Sequence, residues 1–181
     1  MNKILAFAAL VILTSSALVW SAALVPRKSP DFAIAVPGGS TTQLSSLRGK
    51  VVVLEFLFVK SQHCLRVASM LNELHGEAAL LGFQPVGIVF DPPNDANSHG
   101  ELIPAMVDYF KLTFPVGYSS KAAVDGFLGR DLNETLNIPQ LVVIDRSGTI
   151  RAVSGSRGGN PALEDRNSLR KLLAELLKES T

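Results

Sequence analysis

Cys64 is the single cysteine of the chain, and it follows a continuous apolar run, Val51 to Phe58, by way of Val59-Lys60-Ser61-Gln62-His63. The run reads as a strand buried on both faces. Helical spacing begins near Cys64, with Val67, Ala68, Leu71 and Leu74 on one face. The sulfur is therefore expected in the first turn of a helix, where free N–H groups and the positive end of the peptide dipoles favour a thiolate. Lys60 and His63 can add positive charge. Ser61 can donate a hydrogen bond to the sulfur, or simply cap the helix. A thiolate so placed can form a sulfenic acid or a mixed disulfide; the competing reading is a small, buried, inert hydrophobe. Glu55 is the second informative residue. A carboxylate inside a buried strand is expensive unless it is paired, neutral or able to reach solvent at a strand edge.

The 181 residues suffice for one domain with a proper core. A net charge of +1 gives no broad field favouring nucleic acid or an anionic membrane. Lys171, Lys178, Glu175 and Glu179 read as a solvated helix face. Lys3 precedes an uncharged stretch from Ile4 to Val25, which Pro26-Arg27-Lys28 closes. This reads as an export signal with a cleavage site after Ser21-Ala22-Ala23, or as a retained anchor, since roughly 20 apolar residues span a bilayer. Residues 1–28 are thus expected to be a signal peptide or membrane anchor, and 29–181 one domain in the periplasm or on the outer face of the cytoplasmic membrane. In that oxidising setting a lone cysteine has no internal partner. His63, His75 and His99 are scattered, and with one cysteine they make no metal cage. Neither a metal nor a cofactor is expected.

Those residues need elements to position them. Asp31 to Ile34 reads as a short strand, Pro37-Gly38-Gly39-Ser40 as a turn, and Leu44 to Lys50 as a turn or short helix. After Gly82, Pro85 to Phe90 is a second buried strand. A short helix over Pro104 to Lys111, an extended piece at Thr113 to Tyr118 and a helix over Ala122 to Leu128 follow. Leu141 to Ile144 and Thr149 to Val153 form a hairpin around Asp145-Arg146-Ser147-Gly148. A last helix, starting at Asn160-Pro161, carries Leu169, Leu172, Leu173, Leu176 and Leu177 on its apolar face. Alternating strands and helices followed by a hairpin and a helix give an α/β architecture, a central mixed sheet with helices on both faces and an N-terminal β extension.

Four segments carry a family resemblance: Pro30-Asp31-Phe32 with Leu44, Leu47 and Gly49-Lys50; Val51 through Cys64; Leu112 to Val116; and Ile138-Pro139 through Ile150. Together, in this order, they resemble the redoxins of the thioredoxin superfamily, that is, the exported TlpA-like thiol-disulfide reductases and their AhpC/TSA relatives. The resemblance implies a thioredoxin-like fold over about residues 29 to 178. It implies a cis bond before Pro139, which turns the backbone of Ile138 toward the start of the active-site helix, where it can pair with an extended peptide. It also places Ser61 where the family keeps its attacking cysteine, and Cys64 where it keeps the resolving one. A serine hydroxyl does not perform thiol exchange, so the ordinary two-cysteine cycle is closed to this chain. In the family an acid matching Glu55 lies beneath the second cysteine and accepts its proton; Glu55 is thus expected to have a raised pKa and to exchange a proton with Cys64.

Three functions follow as expectations. The first is a divergent thiol-disulfide oxidoreductase acting on protein thiols or disulfides through Cys64, with Ser61 and Glu55 as further catalytic residues and an external thiol as reductant. The second is a one-cysteine peroxidase; Ser61 fits that pattern, Leu57 stands where a proline is expected, and Arg130 or Arg146 would have to activate the sulfur. The third is a non-catalytic module holding a partner with Ile138, Pro139 and the turn at Lys60, Gln62 and His63. Both enzymatic readings require an accessible Cys64. No nucleic-acid partner is expected, and a membrane tether would run through the N-terminal segment.

Overall fold

The computed structural model describes residues 25–91, 99–130, 135–155 and 159–179. Its centre is β4 (Val51–Leu57), buried at every position. β4 lies beside β5 (Phe83–Val89) in parallel and β7 (Gln140–Ile144) in antiparallel register, with Glu55 opposite Gly87 on one side and Leu141 on the other. β6 (Val116–Tyr118) extends the parallel part. β8 (Thr149–Val153) and the two-residue β1 (Arg27–Lys28) extend the antiparallel part. On the far edge β2 (Ala33–Val36) and β3 (Ser40–Gln43) form a hairpin, and the full order is β1-β8-β7-β4-β5-β6-β2-β3. β2 meets β6 closely at Gly117, where a Cβ would lie 2.4 Å from the Ile34 side chain and 2.6 Å from the Ala35 carbonyl. Only glycine admits that approach.

α1 (Gln62–Ala78), α2 (Ile103–Phe110), α3 (Lys121–Leu128) and α4 (Arg166–Leu176) cover the sheet. Alternation along β4 divides the core in two. Val51, Val53 and Leu57 face the cluster holding Cys64, Leu71, Leu169 and Leu173. Val52, Leu54 and Phe56 face the cluster holding Phe32, Val124 and Phe127. By the two-residue period of a strand, Glu55 points to the first side, the side of Cys64.

The expected mixed sheet with helices on two faces and an N-terminal β extension is the observed architecture. The differences lie at its margins. The strand expected from Asp31 begins at Ala33, because Asp31 bonds instead to the Phe32 and Ser45 amides at 3.0 and 2.8 Å. The last helix starts at Arg166, capped by Asp165 onto the Ser168 N–H, after a separate 3₁₀ turn at Pro161–Glu164. Arg27 and Lys28 already belong to the sheet. Of the expected signal or anchor, residues 1–28, the first 24 lie outside the described residues. Glu179 is not simply solvated, since Arg151 bonds to its carboxylate at 2.7 Å.

Arg146, in the β7–β8 turn, is the clamp at the end of the sheet where β4 begins. Its guanidinium donates to the carbonyls of Gly49, Leu81 and Leu177 at 2.7, 2.8 and 3.3 Å. One side chain thus ties the lead-in to β4, the turn after α1 and the end of α4. Arg146→Met is expected to lower stability by about 2–4 kcal/mol, because hydrogen bonds to a charged donor are lost at three separate elements. Urea unfolding checks this as a lower midpoint at unchanged slope.

Candidate functional site

The site forms where β4 ends and α1 begins. Ser61 has an extended backbone and caps α1, its Oγ accepting from the Cys64 N–H at 3.4 Å. The Ser61 N–H donates to the Phe58 carbonyl at 3.0 Å, closing the turn between strand and helix. Ser61 is therefore a helix cap, as one of its two sequence readings holds, and its hydroxyl lies against the cysteine it precedes.

Cys64 is 0 % exposed and sits in the core cluster with Val67, Ala68 and Leu163. This corrects the expectation that the helix start favours a thiolate. Burial pushes the thiol pKa up, whereas hydrogen bonding by the Ser61 side chain and by main-chain groups at Phe58 and Cys64 pulls it down. Burial wins, and the nearby Glu55 carboxylate adds to it. The dipole effect is worth about 0.3–1 kcal/mol near a surface, less than what desolvation costs a charged sulfur.

Glu55 is also 0 % exposed, so it does not reach solvent at a strand edge. Among the described residues neither carboxylate oxygen has a hydrogen-bond partner. Its pKa is raised well above the ordinary carboxylate value, first by burial and then by the negative charge of Glu164. The expected direction of shift is therefore found, and its main cause is the missing water.

His63 and Gln62 are exposed. His63 Nε2 lies 3.0 Å from Glu164 Oε2, so any positive charge on the ring is offset there and is not spent on the sulfur. Both residues line a cleft of about 830 Å³ over the outer side of α1, together with Met70, Tyr109 and Arg166. Lys60 is exposed in the same turn. The bond between Ile138 and Pro139 is cis. Ile138 packs against both core clusters just before β7, whose first residue, Gln140, is paired with Phe56. Among the described residues neither main-chain group of Ile138 has a hydrogen-bond partner.

Glu164 was not legible as a site residue. It stands 100 positions after Cys64, and no spacing rule links the two; only the 3₁₀ turn at Pro161–Glu164, anchored by buried Leu163, brings it to His63 and Glu55. The two arginines considered for activating the sulfur lie elsewhere. Arg146 is at the opposite end of β4. Arg130 bonds to buried Asp125 of α3 at 2.8 Å, and α3 packs on the other face of the sheet. Among the described residues no group of His, Cys, Asp and Glu is placed to hold a metal ion.

The model of the AhpC/TSA family matches residues 25–153, well over half of the 181-residue chain. The chain belongs to the AhpC/TSA family. Solved structures agree on a thioredoxin-like fold for this AhpC/TSA domain. A disulfide-isomerase candidate from Bacteroides thetaiotaomicron is 28% identical, with a TM-score of 0.65 over 88% of this chain and 95% of the other. A thiol:disulfide interchange protein of the thioredoxin family from Chlorobium tepidum is 20% identical, with a TM-score of 0.65 over 86% and 99%. The thioredoxin domain of a thiol-disulfide oxidoreductase from Bacteroides vulgatus is 19% identical, with a TM-score of 0.63 over 83% and 99%. No curated protein matches the chain. The AhpC/TSA domain thus has the architecture on which thiol-disulfide chemistry is built, with a cis-proline loop and a single sulfur in the first turn of α1.

Proposed function

We propose that this is an exported, partner-dependent thiol-disulfide redox protein. Cys64 acts in it as a resolving thiol, and the attacking sulfur that Ser61 cannot supply comes from the partner. What supports the reading is the placement of Cys64 behind the Ser61 cap, beside the buried acid Glu55 and within a domain that carries the cis bond before Pro139. The burial of Cys64 goes against the accessibility expected of an enzyme, so the partner has to open the turn before the sulfur can react. A surface nucleophile would be exposed with a depressed pKa. A resolving thiol waits buried and protonated until a sulfur is delivered to it.

The partner would enter as an extended segment pairing with the open main-chain groups of Ile138, flanked by Lys60, Gln62 and His63. Its mixed disulfide, P–S–S–X, would then face the turn. Cys64 gives up its proton, attacks the partner sulfur and releases X–S⁻, which takes up a proton; a Cys64–partner disulfide remains. One external thiol, RSH, then attacks the Cys64 sulfur, giving Cys64–S–S–R and releasing the partner as P–SH; a second RSH attacks the R sulfur, giving R–S–S–R and regenerating the Cys64 thiol. Glu55 would exchange the proton with Cys64, accepting it during attack and returning it during release. Its raised pKa lies closer to that of a thiol, which makes the transfer less uphill in either direction.

A second reading, a module that holds partners and exchanges nothing, is favoured by the complete burial of Cys64. One experiment separates the two. The chain is mixed with 5-thio-2-nitrobenzoate disulfides of an unfolded, cysteine-bearing peptide and of 2-mercaptoethanol. The redox reading expects a Cys64–peptide adduct to form at least ~10-fold faster than the small adduct, the equivalent of ~1.4 kcal/mol from docking. Peptide binding with no adduct would establish the holding module instead. Equal rates for both probes would remove the docking edge.

Reaction with iodoacetamide gives an independent check. Folded Cys64 is expected to react at least ~100-fold more slowly than the urea-unfolded chain at neutral pH, with a rate that keeps rising above the pH where an ordinary thiol has levelled off. A folded rate matching the unfolded one would restore the surface-thiolate reading.

A further inference from the structure

The end of the sheet opposite Cys64 carries a feature that the redox reading does not use. α1 is followed by a 3₁₀ turn, Ala79–Leu81. Leu80 on it is fully exposed and Leu81 is 62% exposed. Single exposed leucines are ordinary on soluble proteins, but Leu81, next to Leu80 in the chain, lines a groove of about 580 Å³ between α1 and α4, floored by Leu74, Ala78, Leu173 and Leu177. The charged groups lining that groove are Arg146, Arg170, Lys178 and Glu77. Glu77 is already paired with Arg166 at 2.7 Å and with Arg170 at 3.0 Å. Among the described residues Arg146 donates to neutral carbonyls, and no carboxylate is paired with it. The groove is therefore apolar at its floor, led by two protruding leucines, and net positive at its rim.

We propose that this end of the molecule rests on an anionic lipid surface, with Leu80 and Leu81 entering the headgroup layer and Arg146, Arg170 and Lys178 meeting lipid charge. Apolar side chains set among basic ones are what interfacial binding requires, and each basic residue at such a surface adds to the attraction. A second copy of the chain fits less well. A two-fold contact here would bring two positive rims together, and like charges across an interface oppose association. The contact would also set an orientation. β4 runs from this end to the Cys64 turn over seven residues, roughly 23 Å at strand rise, so the Ile138 edge would face away from the bilayer toward incoming partners.

The test uses the full chain in vesicles of phosphatidylcholine, with or without an equal share of phosphatidylglycerol, and an impermeant amine reagent read by peptide mass spectrometry. Lys178 is expected to label roughly fivefold more slowly on the anionic vesicles, while Lys60, at the other end of the sheet, labels equally on both. The double substitution Leu80→Glu and Leu81→Glu is expected to return Lys178 to its rate on phosphatidylcholine alone. Both substituted side chains are exposed, so the variant keeps its core. Equal Lys178 labelling on the two vesicles overturns the proposal. Protection that ignores lipid charge, grows with protein density and accompanies copy-to-copy cross-links also overturns it, and assigns the groove to a second copy.

Discussion

Ser61→Cys is expected to convert this single-cysteine protein into a dithiol reductase. The substituted sulfur would stand at the cap of α1, one helical turn before Cys64. Residues three apart in a first turn have Cα atoms about 5–6 Å apart, within the range a disulfide spans. The Ser61 hydroxyl already lies against the Cys64 backbone. Two influences would then act differently on the two sulfurs. The one at position 61 is partly exposed and at the positive end of α1, so its thiolate is favoured; the one at 64 stays buried and protonated. That asymmetry is what an attacking and a resolving thiol need. Loss of the serine cap costs about 1 kcal/mol, which a 17-residue helix packed by Val67, Ala68, Leu71 and Leu74 can absorb.

Insulin reduction with dithiothreitol as terminal reductant measures the change. The variant is expected to exceed the wild-type protein by at least ~100-fold, a difference of about 2.7 kcal/mol in barrier. Combining it with Cys64→Ser should remove most of the gain, because mixed disulfides then have no internal route to release. Without reductant, the single variant should lose both free thiols to an intrachain disulfide. If it keeps two free thiols and stays inactive, Ser61 does not occupy an attacking position, and the partner-delivered sulfur has nowhere to arrive.

The strand, turn and helix that hold this site were legible because each has a local cause. Val51 to Phe58 has no polar interruption except Glu55, and α1 repeats its apolar residues at helical spacing directly afterwards. The β7–β8 hairpin announces itself through Asp145, Ser147 and Gly148, where Asp145 Oδ1 accepts from the Ser147 and Thr149 amides. What the sequence hid depends on distant contacts. β1 is two residues long and exists only because β8 is there to pair with it. Glu164 and Arg146 act through neighbours tens of positions away. The protonation of Cys64 was misread for the same reason. Helix position is local and argues for a thiolate, whereas burial is set by Leu163, Leu169 and Leu173 far along the chain and argues against it.

Glu55 gives the second large expectation, in the dependence of stability on pH. Its pKa is raised in the folded protein and ordinary in the unfolded chain, so between those two values the folded state binds the extra proton. Stability from this group is complete below the unfolded value, near 4.3, and is lost progressively as pH rises toward the folded value. Within that window the folding constant falls by up to about tenfold per pH unit. Other carboxylates oppose the trend only at lower pH. Asp31 and Asp165 have depressed values, held down by hydrogen bonds from neighbouring serines and main-chain amides; at Asp145 burial pushes the value up, but hydrogen bonds from Ser147, the Thr149 amide and Arg151 outweigh it, and all three destabilise the protein as pH falls through their own range. The stability maximum should therefore lie on the mildly acid side of neutrality. Glu55→Gln keeps the shape and removes the titration, so urea midpoints measured between pH 5 and pH 8 should flatten, with the variant more stable than wild type at the alkaline end. The same variant tests the proton exchange. With Glu55 neutral at all pH values, the electrostatic push on Cys64 disappears and its alkylation profile should move to lower pH, while release of a Cys64-bound peptide by external thiol slows because the proton donor is gone. Stability that flattens while both thiol readouts stay unchanged would leave Glu55 as a buried acid with no part in the chemistry, and would weigh for the holding module over the redox protein.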